Sequence, residues 1–232
     1  MATPFYVAPE QMMKDRAEYA RKGIARGRAL VAVEYTDGVV FASENPSRSL
    51  HKTSEIYDRI GFAAVGRYNE FEALRVAGIR LADVKGYQYA RDDVNAKSLA
   101  NAYSQALGAA FMGGEAKPYE VELLIAEVAP PGRREGGELE LYHILYDGSI
   151  VDEHRFVAVG GESEALSAAL EEAFEDGLDR DAAARVAVGA LSRVAGRDIP
   201  AGDLEVAGLD RTRPRRRFFR LRNSQLEAAL AG

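Results

Sequence analysis

Along this chain, stretches whose apolar residues recur every three or four positions trade places with shorter runs of β-branched and aromatic residues. The first spacing predicts helices and the second strands. Pro9 to Lys22 reads as a helix, with proline in the first turn, Glu10 at the positive end of its dipole, and Arg21 and Lys22 at the other end before Gly23. Met12, Met13, Ala17 and Ala20 give it an apolar side. Two uses of that side stay open: contact with neighbouring molecules, or cover for the chain's own sheet. Ahead of it, Thr3-Pro4-Phe5-Tyr6-Val7-Ala8 is short and proline-interrupted, so an extended or mobile arm is expected.

Ala29–Tyr35 and Val39–Ser43 flank Thr36-Asp37-Gly38, and the Asp-Gly pair supports the positive φ angles of a tight hairpin. Glu55–Asp58 and Ile60–Val65 predict two more strands, the second apolar enough to be buried and ended by Gly66. From Asn69, the residues Phe71, Leu74, Gly78 and Leu81 recur at helical spacing, as do Leu99, Ala102, Tyr103, Ala106 and Ala110 within a second helix from Val94 to Phe111. Val121–Val128, Glu138–Tyr146 and Arg155–Val159 supply further strands, with Ala129–Gly137 a linker-like surface loop and Asp147-Gly148 a turn. Glu162–Phe174 and Arg180–Val194 are helices separated at Gly177; Leu204–Leu209 and Arg217–Leu221 return to strand, and Asn223–Leu230 ends the chain as a helix. Clusters of strands between pairs of helices predict an α+β fold of two stacked antiparallel sheets with helices outside, rather than βαβ alternation. One domain over 1–232 is expected: an arm over 1–8, a helix over 9–22 and the sandwich over 28–232.

Composition narrows the function. At 232 residues and 47% hydrophobic the chain is large enough for a substantial core. Lys and Arg total 30 against 36 Asp and Glu, a net charge of −6, which argues against generic nucleic-acid binding. The absence of cysteine removes disulfides, thiolate nucleophiles and Cys-ligated metals, and fits a reducing cytoplasm. The N-terminus lacks a basic segment followed by an apolar one, and no window reaches the roughly 18 apolar residues of a membrane span, so neither secretion nor membrane insertion is expected.

Candidate chemistry is sparse. His51, His143 and His154 match no metal-ligand spacing. The Gly-Gly pairs at Gly113, Gly136 and Gly160 lack the Lys and Ser/Thr of a phosphate loop, and there is no Gly-x-Ser-x-Gly elbow. No cofactor or metal is expected. From Arg211 to Arg222 arginines interleave with Phe218 and Phe219. That pattern suits either an RNA-binding strand with stacking aromatics or an edge strand with a solvated charged side and a buried phenylalanine, and the acidic balance favours the second.

Longer runs carry more. Met1-Ala-Thr-Pro-Phe-Tyr-Val-Ala-Pro-Glu10 and Asp15-Arg-Ala-Glu-Tyr-Ala-Arg-Lys-Gly-Ile-Ala-Arg-Gly-Arg28 resemble the start of actinobacterial proteasome α subunits. The likeness continues through Glu44-Asn-Pro-Ser-Arg-Ser-Leu-His-Lys52, Glu55-Ile-Tyr-Asp-Arg-Ile-Gly-Phe-Ala-Ala64, Lys117-Pro-Tyr-Glu-Val-Glu-Leu123 and Tyr146-Asp-Gly-Ser-Ile150, covering nearly the whole chain. It implies the four-layer α/β/β/α sandwich of N-terminal nucleophile hydrolases. Catalytic relatives there use an N-terminal threonine, freed by cleavage after glycine, as nucleophile and base. Here Thr3, Thr36, Thr53 and Thr212 follow Ala2, Tyr35, Lys52 and Arg211, and Gly27-Arg28-Ala29 stands where the nucleophile would be. No residue is expected to be catalytic.

The resemblance implies a different role. Identical α subunits would form a seven-membered outer ring, stacked on β subunits that hold the catalytic threonine. Thr3, Pro4, Phe5, Tyr6 and Val7 would gate the entrance, and Met112, Gly113 and Gly114 would line the pore annulus, although Glu115-Ala116 depart from the family's more familiar Val-Arg. Lys52, Gly27, Arg67 and Tyr68 would form a pocket between adjacent subunits for the C-terminal carboxylate of a hexameric regulatory ATPase. A lysine suits that task because a flexible ammonium meets a carboxylate well in a partly desolvated site. Substrates would be unfolded, tagged proteins, in the cytoplasm, with no nucleic acid or membrane involved. Related chains often extend beyond the point where Ala231-Gly232 ends this one.

Overall fold

The computed structural model describes residues 8–113, 117–129, 139–222 and 224–231. The first half contains α1 (Pro9–Ala25), β1 (Leu30–Tyr35), β2 (Gly38–Glu44), β3 (Thr53–Tyr57), β4 (Ile60–Gly66), α2 (Tyr68–Gln88) and α3 (Ala96–Met112). After these come β5 (Val121–Val128), β6 (Leu139–Ile144), β7 (Ile150–Asp152), β8 (Phe156–Val159), α4 (Ser163–Ala173), α5 (Arg180–Ala195), β9 (Leu204–Asp210), β10 (Phe218–Leu221) and α6 (Ser224–Ala231).

The strands make two five-stranded sheets, ordered β10-β9-β2-β1-β8 and β3-β4-β5-β6-β7, and each of these neighbouring strands pairs antiparallel. Alternation along β1 shows why they stack. Leu30 and Ala32 point between the sheets, where Phe41, Leu124 and Leu141 join them, whereas Val31 and Val33 face Leu166, Ala187 and Leu191 of α4 and α5. The second sheet does the same through Phe62 and Ile125 against Leu74, Leu99 and Leu107 of α2 and α3. Strands buried on both faces read as continuous apolar runs, which is what Val39–Ala42 and Ile60–Val65 are. The expected four-layer α+β sandwich is therefore observed.

Several boundaries differ from the sequence pattern for identifiable reasons. Helix α1 does not stop before Gly23 but continues to Ala25. Gly23 is small because of a close approach: a Cβ there would lie 2.0 Å from Glu120 Oε2. Helix α3 begins at Ala96, two residues into the predicted stretch, since Asn95 accepts from Ser98 N as its N-cap and Val94 is packed in the core. Strand β6 ends at Ile144, short of Tyr146. Strand β7 was not anticipated; three exposed residues are below what alternation can reveal. Gly148 and Gly177 do mark turns, with φ of 89° and 82°.

Candidate functional site

At the head of β1 the chain leaves α1 through Arg26 and Gly27, and the backbone crowds at three glycines. A Cβ on Gly27 would lie 3.4 Å from Gly66 N, and one on Gly66, whose φ is 105°, would lie 1.9 Å from Glu120 O. With Gly23 these positions let α1, the lead into β1 and the β4–α2 junction converge over Glu120. Glu120 and Glu70 are both buried. Arg67 Nε meets Glu120 Oε1 at 2.8 Å, Lys117 Nζ meets the same oxygen at 3.2 Å and also bonds Glu70, and Glu120 N donates to Glu70 Oε2 at 2.7 Å. Burial alone would raise the Glu120 pKa, but hydrogen bonds from Arg67, Lys117 and Tyr19 outweigh it and leave the carboxylate below its ordinary value.

On the other side of Gly27, the Lys52 Nζ donates to Arg28 O at 2.5 Å, and Arg28 Nη1 pairs with Glu44 Oε1 at 2.6 Å. Lys52 is half-buried, and burial is the leading reason its pKa falls to about 8; Glu205 and Glu44 oppose the fall and Arg28 adds to it. Beneath it the buried Glu205 holds the whole 45–53 loop. It accepts from Asn45 Nδ2 at 2.6 Å, Lys52 N at 3.0 Å, Thr53 N at 3.0 Å, Thr53 Oγ1 at 2.5 Å and Arg220 Nη1 at 2.6 Å. Desolvation would raise its pKa, yet these donors hold it below the usual carboxylate range.

The structure thus brings Lys52, Gly27 and Arg67 to one end of the sandwich, around the Arg28 carbonyl and the Gly27–Gly66 contact. Arg67 is already engaged with Glu120. Tyr68 differs: its ring packs edge-on against Phe71, 5.1 Å between centroids, at the margin of the core under α2. Met112 is the last residue of α3 and 66% exposed, and Gly113 N closes the helix on Ala109 O at 2.9 Å. Arg16 of α1 donates to Ala110 O and Phe111 O, both at 2.8 Å, satisfying two terminal carbonyls of α3. Thr3, Pro4, Phe5, Tyr6, Val7 and Gly114 lie outside the described residues.

The apolar side of α1 covers the chain's own sandwich through Ala20 and Ile24, which are buried, while Met12 is 37% and Tyr19 46% exposed. Helix α2 carries exposed apolar residues beside the exposed Asn69, Arg80 and Asp83. Phe71, Leu74, Gly78 and Ala82 face the core, whereas Ala73, Ala77, Leu81 and Val84 form an exposed stripe that ends beside Tyr87, 92% exposed.

No described threonine stands at the head of β1. Thr36 lies in the β1–β2 turn and donates to Leu178 O at 3.0 Å, Thr53 is buried against Glu205, and Thr212 donates to Asp210 Oδ1 at 2.5 Å. His143 lies between Glu122 and Glu153 at 3.3 and 3.5 Å. Burial lowers its pKa, but the two carboxylates prevail and lift it to about 9, so this histidine is a charged structural link. Among the described residues no metal-binding cluster occurs and no helix is long and apolar enough to cross a membrane. The arginine-aromatic alternation is an edge strand: Phe218 is buried between the sheets and Phe219 under α5, so neither offers a face for base stacking. The RNA reading therefore lacks support.

Sequence reasoning missed Glu205, Glu70 and Glu120, since a carboxylate in a strand or first helical turn normally signals a solvated position. Gly23 was the available hint, a glycine inside a helix that needs none. The family profile described as proteasome subunit matches residues 24–207. The chain is 59% identical to a proteasome subunit alpha of Streptomyces griseus over 95% of this chain and 81% of that one. It is 57% identical to that of Streptomyces scabiei over 99% and 93%, and 58% identical to that of Kineococcus radiotolerans over 100% and 99%.

Proposed function

The chain belongs to the proteasome subunit family, on its α-type branch, and from that premise we propose that it is a non-catalytic wall and entrance of a protein-degrading particle. The observation that carries this reading is the head of β1. A threonine nucleophile of this fold needs a free α-amine to act as its base. Here α1 runs into Gly27 and Arg28 instead, and the Arg28 guanidinium, paired with Glu44, has donors only and no nucleophile to offer. Catalysis then belongs to partner β subunits.

In this reading identical copies form a seven-membered outer ring whose gate is Thr3 to Val7 and whose annulus is Met112 to Gly114. A hexameric ATPase docks its C-terminal carboxylate in a pocket of Lys52, Gly27, Arg67 and Tyr68, and feeds unfolded, tagged substrates through the ring in the cytoplasm. The exposed apolar residues of α2, from Ala73 to Val84, support a stacking contact with β subunits in this reading.

Two experiments test it. Purified alone, the chain should leave a fluorogenic peptide intact, and co-expressed with a β subunit it should copurify as a large particle that cleaves it; turnover by the chain alone would overturn the non-catalytic reading. Deleting Met1–Ala8 should raise peptide entry into the assembled particle several-fold without altering hydrolysis once inside. An unchanged entry rate would remove the gate from this segment.

A further inference from the structure

The β10 end of the first sheet carries a cleft of about 550 Å³, bounded by the 45–51 loop and by the start of α6. Arg48, His51, Arg220 and Arg222 line it, and the buried Val206, Leu221 and Leu226 give it apolar walls. Neither Lys52 nor Gly27 lines it. Glu205 is the one carboxylate among its described lining residues, and Arg220 already meets it, Nη1 to Oε1 at 2.6 Å. Two positive charges are then left unopposed. Arg48 and Arg222 are exposed, and their side chains form no hydrogen bond or ion pair with any described residue. His51, with Nδ1 3.7 Å from Glu205 Oε1, feels the excess: burial is the leading reason its pKa falls, and Arg220 and Arg222 push it further down against the pull of Glu205. The loop that presents Arg48 and His51 is held in place before any ligand arrives. Ser47 N donates to Asn45 Oδ1 at 3.1 Å, Leu50 N to Ser47 Oγ at 3.0 Å and Asn45 Nδ2 to Leu50 O at 2.8 Å, while Asn45 N donates to Asp203 O at 2.7 Å.

We propose that this cleft binds a phosphate monoester, its phosphoryl group held by the Arg48 and Arg222 guanidiniums with His51 as a further donor, and its organic body set against Leu221 and Leu226. The site goes beyond the gate and docking readings above and depends on neither. Charge selects the ligand class. A phosphate dianion matches the two unopposed guanidiniums, where a carboxylate matches only one, and each planar guanidinium fork can bond two phosphoryl oxygens at once. Size and lining extend the argument, because the cleft has room beyond a phosphoryl group and that room is walled by apolar side chains, the make-up of a pocket for an organic ligand. Since the 45–51 backbone is already fixed by its own hydrogen bonds, binding does not have to order it, which lowers a usual cost of capture. Two sources share this chemistry: a free small molecule and a phosphorylated side chain of another protein.

The test titrates the full chain with phenyl phosphate by calorimetry, at low salt and about pH 7.5, where a phosphate monoester carries nearly two negative charges. Saturable binding is expected. Arg48→Gln and Arg222→Gln should each weaken it about tenfold or more, the effect of losing one hydrogen bond between charged groups. Arg193→Gln, which removes the same charge from α5, should bind as the parent does. All three arginines are exposed, so the unfolding temperature of each variant should match the parent. Benzoate, the same ring on a carboxylate, should bind about tenfold or more weakly than phenyl phosphate. A phosphoserine peptide that displaces phenyl phosphate, where its unphosphorylated form does not, would extend the site to protein-borne phosphate; a peptide that fails to compete would confine it to small molecules. Absence of phenyl phosphate binding, equal affinity for benzoate, unchanged affinity in the Arg48 and Arg222 variants, or an equal loss in Arg193→Gln would overturn the proposal.

Discussion

Replacing Glu205 by alanine should lower the unfolding free energy by about 3–5 kcal/mol, the range for removing one partner from a buried charge network. Its five donors come from three places in the chain: Asn45, the Lys52–Thr53 segment with two backbone N–H groups and the Thr53 hydroxyl, and Arg220. Alanine would leave the Arg220 guanidinium without its carboxylate and two backbone N–H groups without acceptors, each with its own desolvation cost. For a chain of this size that corresponds to a fall of roughly 6–20 °C in Tm, measurable by calorimetry or near-ultraviolet dichroism. Acid should do the same to the parent. The folded pKa of Glu205 lies below its unfolded value, so the stability it gives is complete above the ordinary carboxylate pKa of 4.5 and is lost as pH falls through the folded value. The Ala variant should therefore lose less stability than the parent across that acid window. Equal acid sensitivity in the two, or a loss under about 1 kcal/mol, would show that the loop is held by something other than Glu205.

How much of this was legible beforehand divides along a physical line. The β1–β2 hairpin, the buried run Ile60–Val65 and the paired helices Glu162–Phe174 and Arg180–Val194 are local signals and each is present in the fold. Neither Asp37 nor Gly38, however, takes the expected positive φ: Gly38 pairs with Tyr35 inside the ladder, and a Cβ on it would lie 1.9 Å from Leu209 O. The two sheets follow from the order of such signals. The end of α1 was not legible, because Gly23 resembles a helix stop until Glu120, almost a hundred residues later, is placed against it. Nor were the buried carboxylates: Glu205 and Glu120 are buried because donors from distant segments converge on them, and sequence distance hides that convergence. Lys52 is the middle case. Its residue type says nothing, its family resemblance assigns it a role, and the structure supplies the environment, a half-buried ammonium resting on a backbone carbonyl with no acid directly on its Nζ among the described hydrogen bonds and ion pairs.

That environment makes Lys52→Ala the most informative single change for function. Particles carrying it should lose about tenfold or more of their ATPase-dependent protein degradation, the 1.5–3 kcal/mol of a hydrogen bond to a charged group converted to affinity. Repetition of the pocket around a ring would enlarge the loss, since several tails binding together depend on each contact. Cleavage of a small fluorogenic peptide, which needs no ATPase, should be unchanged. The physical argument is that Lys52 already bears much of the cost of burial: its charged form is disfavoured enough to bring its pKa to about 8, and an arriving carboxylate offsets that cost instead of creating it. The sign follows. The folded pKa lies below the unfolded value of 10.5, so the unfolded chain holds the extra proton between about 8 and 10.5, and the burial penalty fades as pH rises through that window. Docking has the opposite dependence, needing the ammonium, so ATPase stimulation should decline relative to peptide cleavage as pH rises above about 8. Lys52→Arg should keep part of the stimulation and remove that decline, because a guanidinium does not deprotonate there. If alanine reduced protein and peptide cleavage alike, Lys52 would be a structural residue of the particle, and the carboxylate pocket would have to be sought elsewhere.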